Sequence, residues 1–166
     1  MGVITGTRIV RATPAEAARL FLDWSKDPLW RAQVRRMTVE PPGQATAGQR
    51  IVEELRFAGL PFVTPTRVER SGPAFAEYRG GSATVTVSGS RRIETRPGGA
   101  VALVATLDVR LRGPLRPLTG LLLPSYRRLQ EEDLDRLAAL LGDGVPDDDL
   151  RASRSLPPPS AGLWSR

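Results

Sequence analysis

The fold is decided by a leucine-rich run near the end of the chain, Gly113–Gly142, which reads GPLRPLTGLLLPSYRRLQEEDLDRLAALLG. Leu134, Leu137 and Leu141 recur at steps of three and four, and charged residues take the other side. This pattern is typical of an amphipathic helix. Pro124 lies inside the run and lacks the N–H that a helix needs, so we expect a kink or a break there. The apolar stripe requires an apolar surface to pack on.

That surface is predicted by the residues from Val34 onward, where apolar and polar residues alternate and Gly and Pro mark the turns. Short connections between the strands indicate antiparallel hairpins. Small residues on the apolar face, namely Ala83, Gly89 and Ala105, would leave space between sheet and helix. The predicted strands cover residues 34–40, 49–57, 62–70, 74–79, 83–96 and 100–112.

The beginning of the chain predicts a strand over residues 3–11 followed by two short helices. Thr13 is a typical N-cap, Pro14 suits the first helical position, and Glu16 completes a capping box. Asp27 and Pro28 repeat the cap-then-proline order, so a second helix of one or two turns should begin there.

Composition limits the possible chemistry. A chain of 166 residues with 40% hydrophobic content can form one domain with a real core. Cysteine and histidine are both absent, which excludes disulfides, thiolate nucleophiles and a Ser-His-Asp triad. We therefore expect no metal site and no cofactor. Any acid–base chemistry would rest on carboxylates, hydroxyls, arginines or a lysine.

The formal net charge of +6 comes mostly from arginines dispersed along the chain, without the clustering of a nucleic-acid footprint. We expect no nucleic-acid partner. No apolar run approaches the length of a membrane span, and no signal peptide is apparent, so we expect a cytoplasmic protein without stable membrane insertion. The oligomeric state is left open. Residues 143–166, which are acidic and proline-rich, predict a tail after a domain over residues 1–142.

The order of strand, two short helices, six antiparallel strands and a long helix resembles the SRPBCC (START/Bet v 1-like) superfamily, in particular its bacterial polyketide cyclase/dehydrase-like branch. The resemblance is carried by two stretches, VRATPAEAARLFLDWSKDPLW at residues 10–30 and LQEEDLDRLAALL at residues 129–141. It implies an α+β helix-grip fold, in which a curved sheet of about seven antiparallel strands wraps around the C-terminal helix. An apolar cavity would lie between them.

Glu53 is the sharpest candidate for chemistry in such a cavity. It lies between Ile51 and Leu55 on the alternation of its strand, so its carboxylate should point toward the helix. A register slip by one residue would instead turn Val52 inward and make Arg56 or Arg50 the inward charge. Both registers stay open at this point.

Other polar and aromatic residues share the predicted inward faces. Tyr126 and Gln130 continue the helix stripe, and Tyr78 lies on a strand, so hydroxyls and an amide could orient a ligand carbonyl or phenol. Ordinary packing in the core is the alternative. The predicted ligand-binding residues are Trp30, Glu53, Leu55, Phe57, Thr64, Tyr78, Leu103, Tyr126 and Gln130, and the catalytic candidates are Glu53, Arg56 and Tyr78.

Members of the superfamily bind lipids, sterols, quinones or polyketides, and a minority catalyse cyclisation or dehydration. The resemblance therefore implies a carrier or sensor of a small hydrophobic molecule. A polyketide cyclase or dehydratase and a quinone or lipid chaperone at membranes are the alternatives. Aromatase/cyclase members place a Tyr after the second helix and an Arg in the following strand. Here Met37 stands near the Tyr position and Arg56 could supply the Arg, which counts against aromatase chemistry.

Overall fold

A computed structural model describes residues 3–57 and 59–142. One antiparallel sheet contains every strand, in the spatial order β1-β7-β6-β5-β4-β3-β2. The long helix α2, Leu118–Leu140, follows the last strand, and the predicted helix-grip fold is confirmed. The predicted tail lies outside the described residues. The strands are β1 Val3–Val10, β2 Val34–Glu40, β3 Arg50–Phe57, β4 Leu60–Gly72, β5 Phe75–Gly81, β6 Val85–Thr95 and β7 Val101–Leu111.

Helix α1, Pro14–Phe21, begins as the sequence predicts. The Glu16 N–H donates to Thr13 Oγ1 at 3.2 Å, and the Thr13 N–H donates to Glu16 Oε2 at 2.8 Å. Two N–H groups that the helix leaves without partners are thereby satisfied. The capping box is confirmed, and it fixes the point where the chain leaves β1 to cross the sheet.

The second short helix differs from the prediction. It is a 3₁₀-helix over Trp24–Leu29, and its N-cap is Asp23, whose Oδ1 accepts from the Ser25 N–H at 3.0 Å. Asp27 lies inside this helix and is fully buried. The prediction that a helix begins at Asp27 and Pro28 is therefore wrong. The Asp27 side chain forms ion pairs within the fold and does not cap a helix.

A kink or a break was expected at Pro124, and the structure shows no break, because helix α2 continues through this residue. Proline removes the hydrogen bond to the carbonyl four residues earlier, which here belongs to Gly120. Both Gly120 and Pro124 are exposed, so water can satisfy that carbonyl. The cost of the proline is therefore small enough for the helix to continue.

The apolar stripe of α2 packs on the sheet as predicted, chiefly against β1. Leu134 and Leu137 are fully buried, and Gly142 follows the helix with φ +89. The close approach depends on Gly6 in β1. A Cβ at that position would lie 2.6 Å from Leu134 Cδ1 and 3.0 Å from Gln130 Nε2. Glycine thus lets this half of the helix touch the strand.

Two of the three small residues contribute space to the inner face. Gly89 pairs with Leu107, and Ala105 pairs with Arg91. A Cβ on Gly89 would lie 2.7 Å from the Tyr78 hydroxyl, so the missing side chain makes room for that ring. Ala83 is instead exposed and lies before β6, where it does not border the space between sheet and helix. The prediction for Ala83 was wrong because the strand begins later than its alternation suggested.

Candidate ligand-binding cavity

A cavity lies between the sheet and α2. Its volume is about 120 Å³, and about 910 Å³ when all the empty space out to open solvent is included. Twelve of its twenty lining residues are apolar or aromatic, as is usual for small-molecule sites, and the other eight carry charged, amide or hydroxyl groups. The lining residues are Trp24, Trp30, Arg31, Gln33, Ile51, Glu53, Leu55, Phe57, Thr66, Tyr78, Val87, Arg91, Ala105, Thr106, Leu107, Tyr126, Leu129, Gln130, Asp133 and Leu134.

An aromatic pair forms part of the wall where α2 faces the end of β3. The rings of Phe57 and Tyr126 are stacked, with centroids 4.8 Å apart and planes 8° from parallel. Both residues are half-buried. Offset stacking of this kind is favourable and presents a flat apolar surface.

Gln130, one turn further along the helix, is already partnered. Its Nε2 donates to the Ala105 carbonyl at 2.9 Å. This bond ties α2 to strand β7, the neighbour of the edge strand β1. The amide is therefore less free to orient a ligand than the sequence suggested.

A buried ion pair closes the deep end of the cavity. Asp27 is fully buried in the 3₁₀-helix, and Arg91 reaches it from β6. Arg91 Nη1 donates to Asp27 Oδ1 at 2.8 Å and to the Phe21 carbonyl at 2.9 Å, while its Nη2 contacts Asp27 Oδ2 at 2.5 Å. This two-pronged geometry satisfies both carboxylate oxygens. It joins the helical crossing to the middle of the sheet.

Three aromatic rings surround the Arg91 guanidinium. Its central carbon lies 4.4 Å from the ring centroid of Trp24, 5.1 Å from that of Trp30 and 5.5 Å from that of Phe21. Cation–π attraction compensates part of the desolvation of the charge. Trp24 and Trp30 also line the cavity.

A second arginine, Arg31, connects this ion pair with the cavity wall. Its nitrogens lie 2.6 Å from Glu53 Oε1, 3.0 Å from Asp27 Oδ2 and 3.7 Å from Asp133 Oδ2. Burial opposes the charge on Arg31, but the three carboxylates outweigh it, so the pKa of Arg31 is raised. Arg31 therefore keeps its positive charge at every accessible pH.

Asp133 completes the cluster from α2. Its Oδ1 accepts from the Ala32 N–H at 3.3 Å and from Arg136 Nη1 at 2.9 Å. Burial raises the pKa of Asp133, and the attraction of Arg31 offsets part of that rise. The cluster thus links three parts of the fold, the helical crossing, the sheet and the C-terminal helix.

Two buried polar atoms on the cavity wall have no hydrogen-bond partner among the described residues, Trp30 Nε1 and Glu53 Oε1. The contact between Glu53 Oε1 and Arg31 is short enough for an ion pair, but its angle is not that of a hydrogen bond. Buried polar groups are normally hydrogen-bonded. A ligand or water in the cavity could supply the missing partners.

The two tyrosines of the chain both line the cavity, and both should ionise late. Burial raises the pKa of Tyr78, against the opposing influence of Arg91 and Arg31. Burial, reinforced by Glu53, also raises the pKa of Tyr126. Both hydroxyls therefore remain protonated and can donate hydrogen bonds at neutral pH.

We predict that in a spectrophotometric titration the tyrosines of the folded protein ionise at a higher pH than those of the protein in urea, because burial raises the pKa of both hydroxyls. Because the folded state holds these protons more tightly, stability is full below the ordinary pKa and falls as the pH rises above it. Coincident titration curves in buffer and in urea would contradict the burial of both hydroxyls.

The predicted site residues divide into two groups. The structure brings Trp30, Glu53, Leu55, Phe57, Tyr78, Tyr126 and Gln130 together around the cavity. Thr64 and Leu103 are buried but do not line it, and Thr66 lines it instead. Their strands alternate as predicted, but both side chains are buried by other residues of the fold and leave no open space.

Of the two registers left open for β3, the structure has the one with Glu53 inward. Arg56 is exposed and does not line the cavity, so it is not an inward catalytic candidate. Met37 packs against the core. The guanidinium groups of the cavity come from Arg31 and Arg91, which the sequence analysis did not single out. Arg91 shares the inward alternation of Gly89 and Ile93, and this signal could have identified it.

Residues 1–142 match the family model described as polyketide cyclase/dehydrase and lipid transport. The chain belongs to this family. The match covers every element of the fold and includes the whole cavity. A search of curated proteins finds no match to the chain.

Solved structures show the same fold at low sequence identity. The Zhui aromatase/cyclase from Streptomyces sp. R1128 is 17% identical and has a TM-score of 0.68, over 93% of this chain and 99% of that chain. A START superfamily protein from Mycobacterium smegmatis is 16% identical with a TM-score of 0.61, over 82% and 92%. Major latex-like protein 151 from Panax ginseng is 10% identical with a TM-score of 0.63, over 86% and 98%.

Within residues 3–57 and 59–142, no helix is long and apolar enough to cross a membrane. The same part of the chain contains no group of three or more acidic side chains placed to hold a metal ion.

Proposed function

We propose that this family member binds a small hydrophobic molecule in the cavity between its sheet and α2, as a carrier or sensor. The observation that carries the proposal is the distribution of chemistry along the cavity wall. Stacked Phe57 and Tyr126, together with Leu55 and Leu129, offer an apolar surface, and unpartnered polar atoms lie toward the buried end. A site of this kind holds an apolar body and orients one polar group.

Binding is tested with N-phenyl-1-naphthylamine, a neutral dye that fluoresces in apolar surroundings. Leu55→Trp should fill the cavity and weaken dye binding about tenfold or more, because the larger side chain occupies the ligand's space. Val63→Trp is the matched control, since Val63 is 57% exposed on the neighbouring strand. If Leu55→Trp folds and binds the dye like the wild type, the cavity is not the binding site. Native mass spectrometry of the purified protein would name a co-purified ligand.

A polyketide cyclase or dehydratase is the second candidate, favoured by Glu53 and Tyr78 on one cavity wall. Glu53 could accept a proton from an acidic carbon, and the protonated Tyr78 hydroxyl could polarise a carbonyl. Against it, the cavity arginines are engaged by carboxylates and the chain has no histidine. Conversion of a poly-β-keto thioester by the wild type, lost in Glu53→Gln, would establish this function in place of a carrier role.

A further inference from the structure

The positive charges at the buried end of the cavity are already paired. Arg91 makes its two-pronged contact with Asp27, and Arg31 has a carboxylate beside each of its three nitrogens. A negatively charged ligand group would have to displace one of these carboxylates to gain an arginine. The arrangement therefore offers little attraction to an anion, although the protein as a whole is basic.

The carboxylate of Glu53 is only partly engaged, because its Oε1 forms an ion pair with Arg31 at 2.6 Å that lacks the geometry of a hydrogen bond. The Glu53 side chain is 16% exposed and lines the cavity, and apart from this ion pair its buried Oε1 has no partner among residues 3–57 and 59–142. A carboxylate can only accept hydrogen bonds. The complementary group on a ligand must consequently donate one.

Trp30 imposes the opposite requirement on the same wall. The side chain is 4% exposed, and its Nε1–H has no acceptor within the part of the chain that the structure describes. An indole N–H can only donate. Arg31, the residue after Trp30, contacts Glu53. Hydroxyl groups on a ligand can meet both requirements because a hydroxyl donates and accepts, whereas a carboxylate cannot donate.

We propose that the cavity selects neutral hydroxylated molecules over their carboxylate analogues, with Glu53 as the residue that determines this specificity. The inference rests on the proposed function, since it names the chemical class of the ligand at that site. A ligand carboxylate would lose its hydration and be repelled by the negative charge of Glu53, while a phenol or alcohol would donate a hydrogen bond to that carboxylate. Sites built to hydrogen-bond a particular group discriminate strongly against analogues that lack it.

The test is displacement of bound N-phenyl-1-naphthylamine by 2-naphthol and by 2-naphthoate, which share a ring system and differ in the polar group. Displacement of the dye measures binding in the cavity and is not affected by naphthoate that binds to surface arginines. We expect 2-naphthol to displace the dye at a concentration about tenfold or more below that of 2-naphthoate. Equal potency, or a preference for naphthoate, overturns the inference and leaves the proposed function standing. If the dye does not bind and no ligand co-purifies, the proposed function itself fails.

The variant Glu53→Gln tests whether Glu53 determines the preference for 2-naphthol. Removing the carboxylate frees Arg31 to pair with naphthoate, so the preference for 2-naphthol should shrink about tenfold. Glu54→Gln makes the same charge change on the opposite face of β3, away from the cavity, and should keep the wild-type ratio. An unchanged ratio in folded Glu53→Gln overturns the role of Glu53. If that variant does not fold, the comparison of the two naphthalenes on the wild type still decides the ligand class.

Discussion

Asp27→Asn should lower the free energy of unfolding by about 3–5 kcal/mol, the cost of leaving a buried charge without its partner. Asp27 is fully buried and accepts from both Arg91 and Arg31. Asparagine keeps the size of the side chain but loses its charge. The Arg91 side chain, 6% exposed among aromatic rings, would then be a desolvated cation without a counter-charge, stabilised only by the Phe21 carbonyl, the rings and the amide oxygen of the new side chain.

Urea unfolding of Asp27→Asn measures this loss, and Glu132→Gln is the control. Glu132 also pairs with an arginine, Arg128, but the two side chains are 40% and 82% exposed. Exposed pairs one helical turn apart contribute only about 0.3–0.5 kcal/mol. Similar losses in the two variants would mean that the Asp27 cluster is solvated and does not act as a buried junction.

Leu137→Ala should cost about 2–5 kcal/mol, the sum of a transfer loss and the cavity that the smaller side chain leaves. Leu137 is fully buried against the sheet and does not line the ligand cavity. Ligand affinity should therefore change less than stability. Leu140→Ala is the matched control on the same helix, because Leu140 is 53% exposed, and its effect should stay within about 0.5 kcal/mol.

Tyr126→Ala distinguishes the wall of the cavity from the core. Tyr126 is half-buried and stacks on Phe57. Its loss should therefore reduce the free energy of binding N-phenyl-1-naphthylamine more than the free energy of unfolding measured in urea. If Leu137→Ala leaves the free energy of unfolding unchanged and Tyr126→Ala unfolds the protein, then the core and the cavity lie at opposite ends of α2 from those described.

Local signals predicted the parts of the fold that depend on neighbouring residues. The cap at Thr13, the stripe through Leu134 and Leu137, and the inward alternation of Glu53 each follow from spacing within one element. Together with the resemblance of the element order to a known superfamily, they predicted the helix-grip fold and seven of the twenty residues of the cavity wall.

The charge cluster could not be predicted in the same way. Asp27, Arg31, Arg91 and Asp133 come from three distant stretches of the chain, and only the closed fold brings them together. In sequence, Asp27 before Pro28 has the appearance of an ordinary cap. Thr64 and Leu103 show the converse problem, because inward alternation does not reveal which positions are buried by packing and which border the cavity. The position and contacts of such residues depend on partners that are distant in the sequence and not on the spacing within one element.

The sheet order has a consequence for how the chain folds during synthesis. Strands β2 to β7 each pair with the strand that precedes or follows them, so they can form hairpins as they emerge from the ribosome. β1 pairs only with β7 and must wait until nearly the whole domain has been translated, and α2, which packs chiefly on β1, follows last. Until then the apolar inner face of the sheet is open to water. Folding should therefore be limited by this late long-range closure, and the nascent chain should be most prone to aggregate just before α2 is complete.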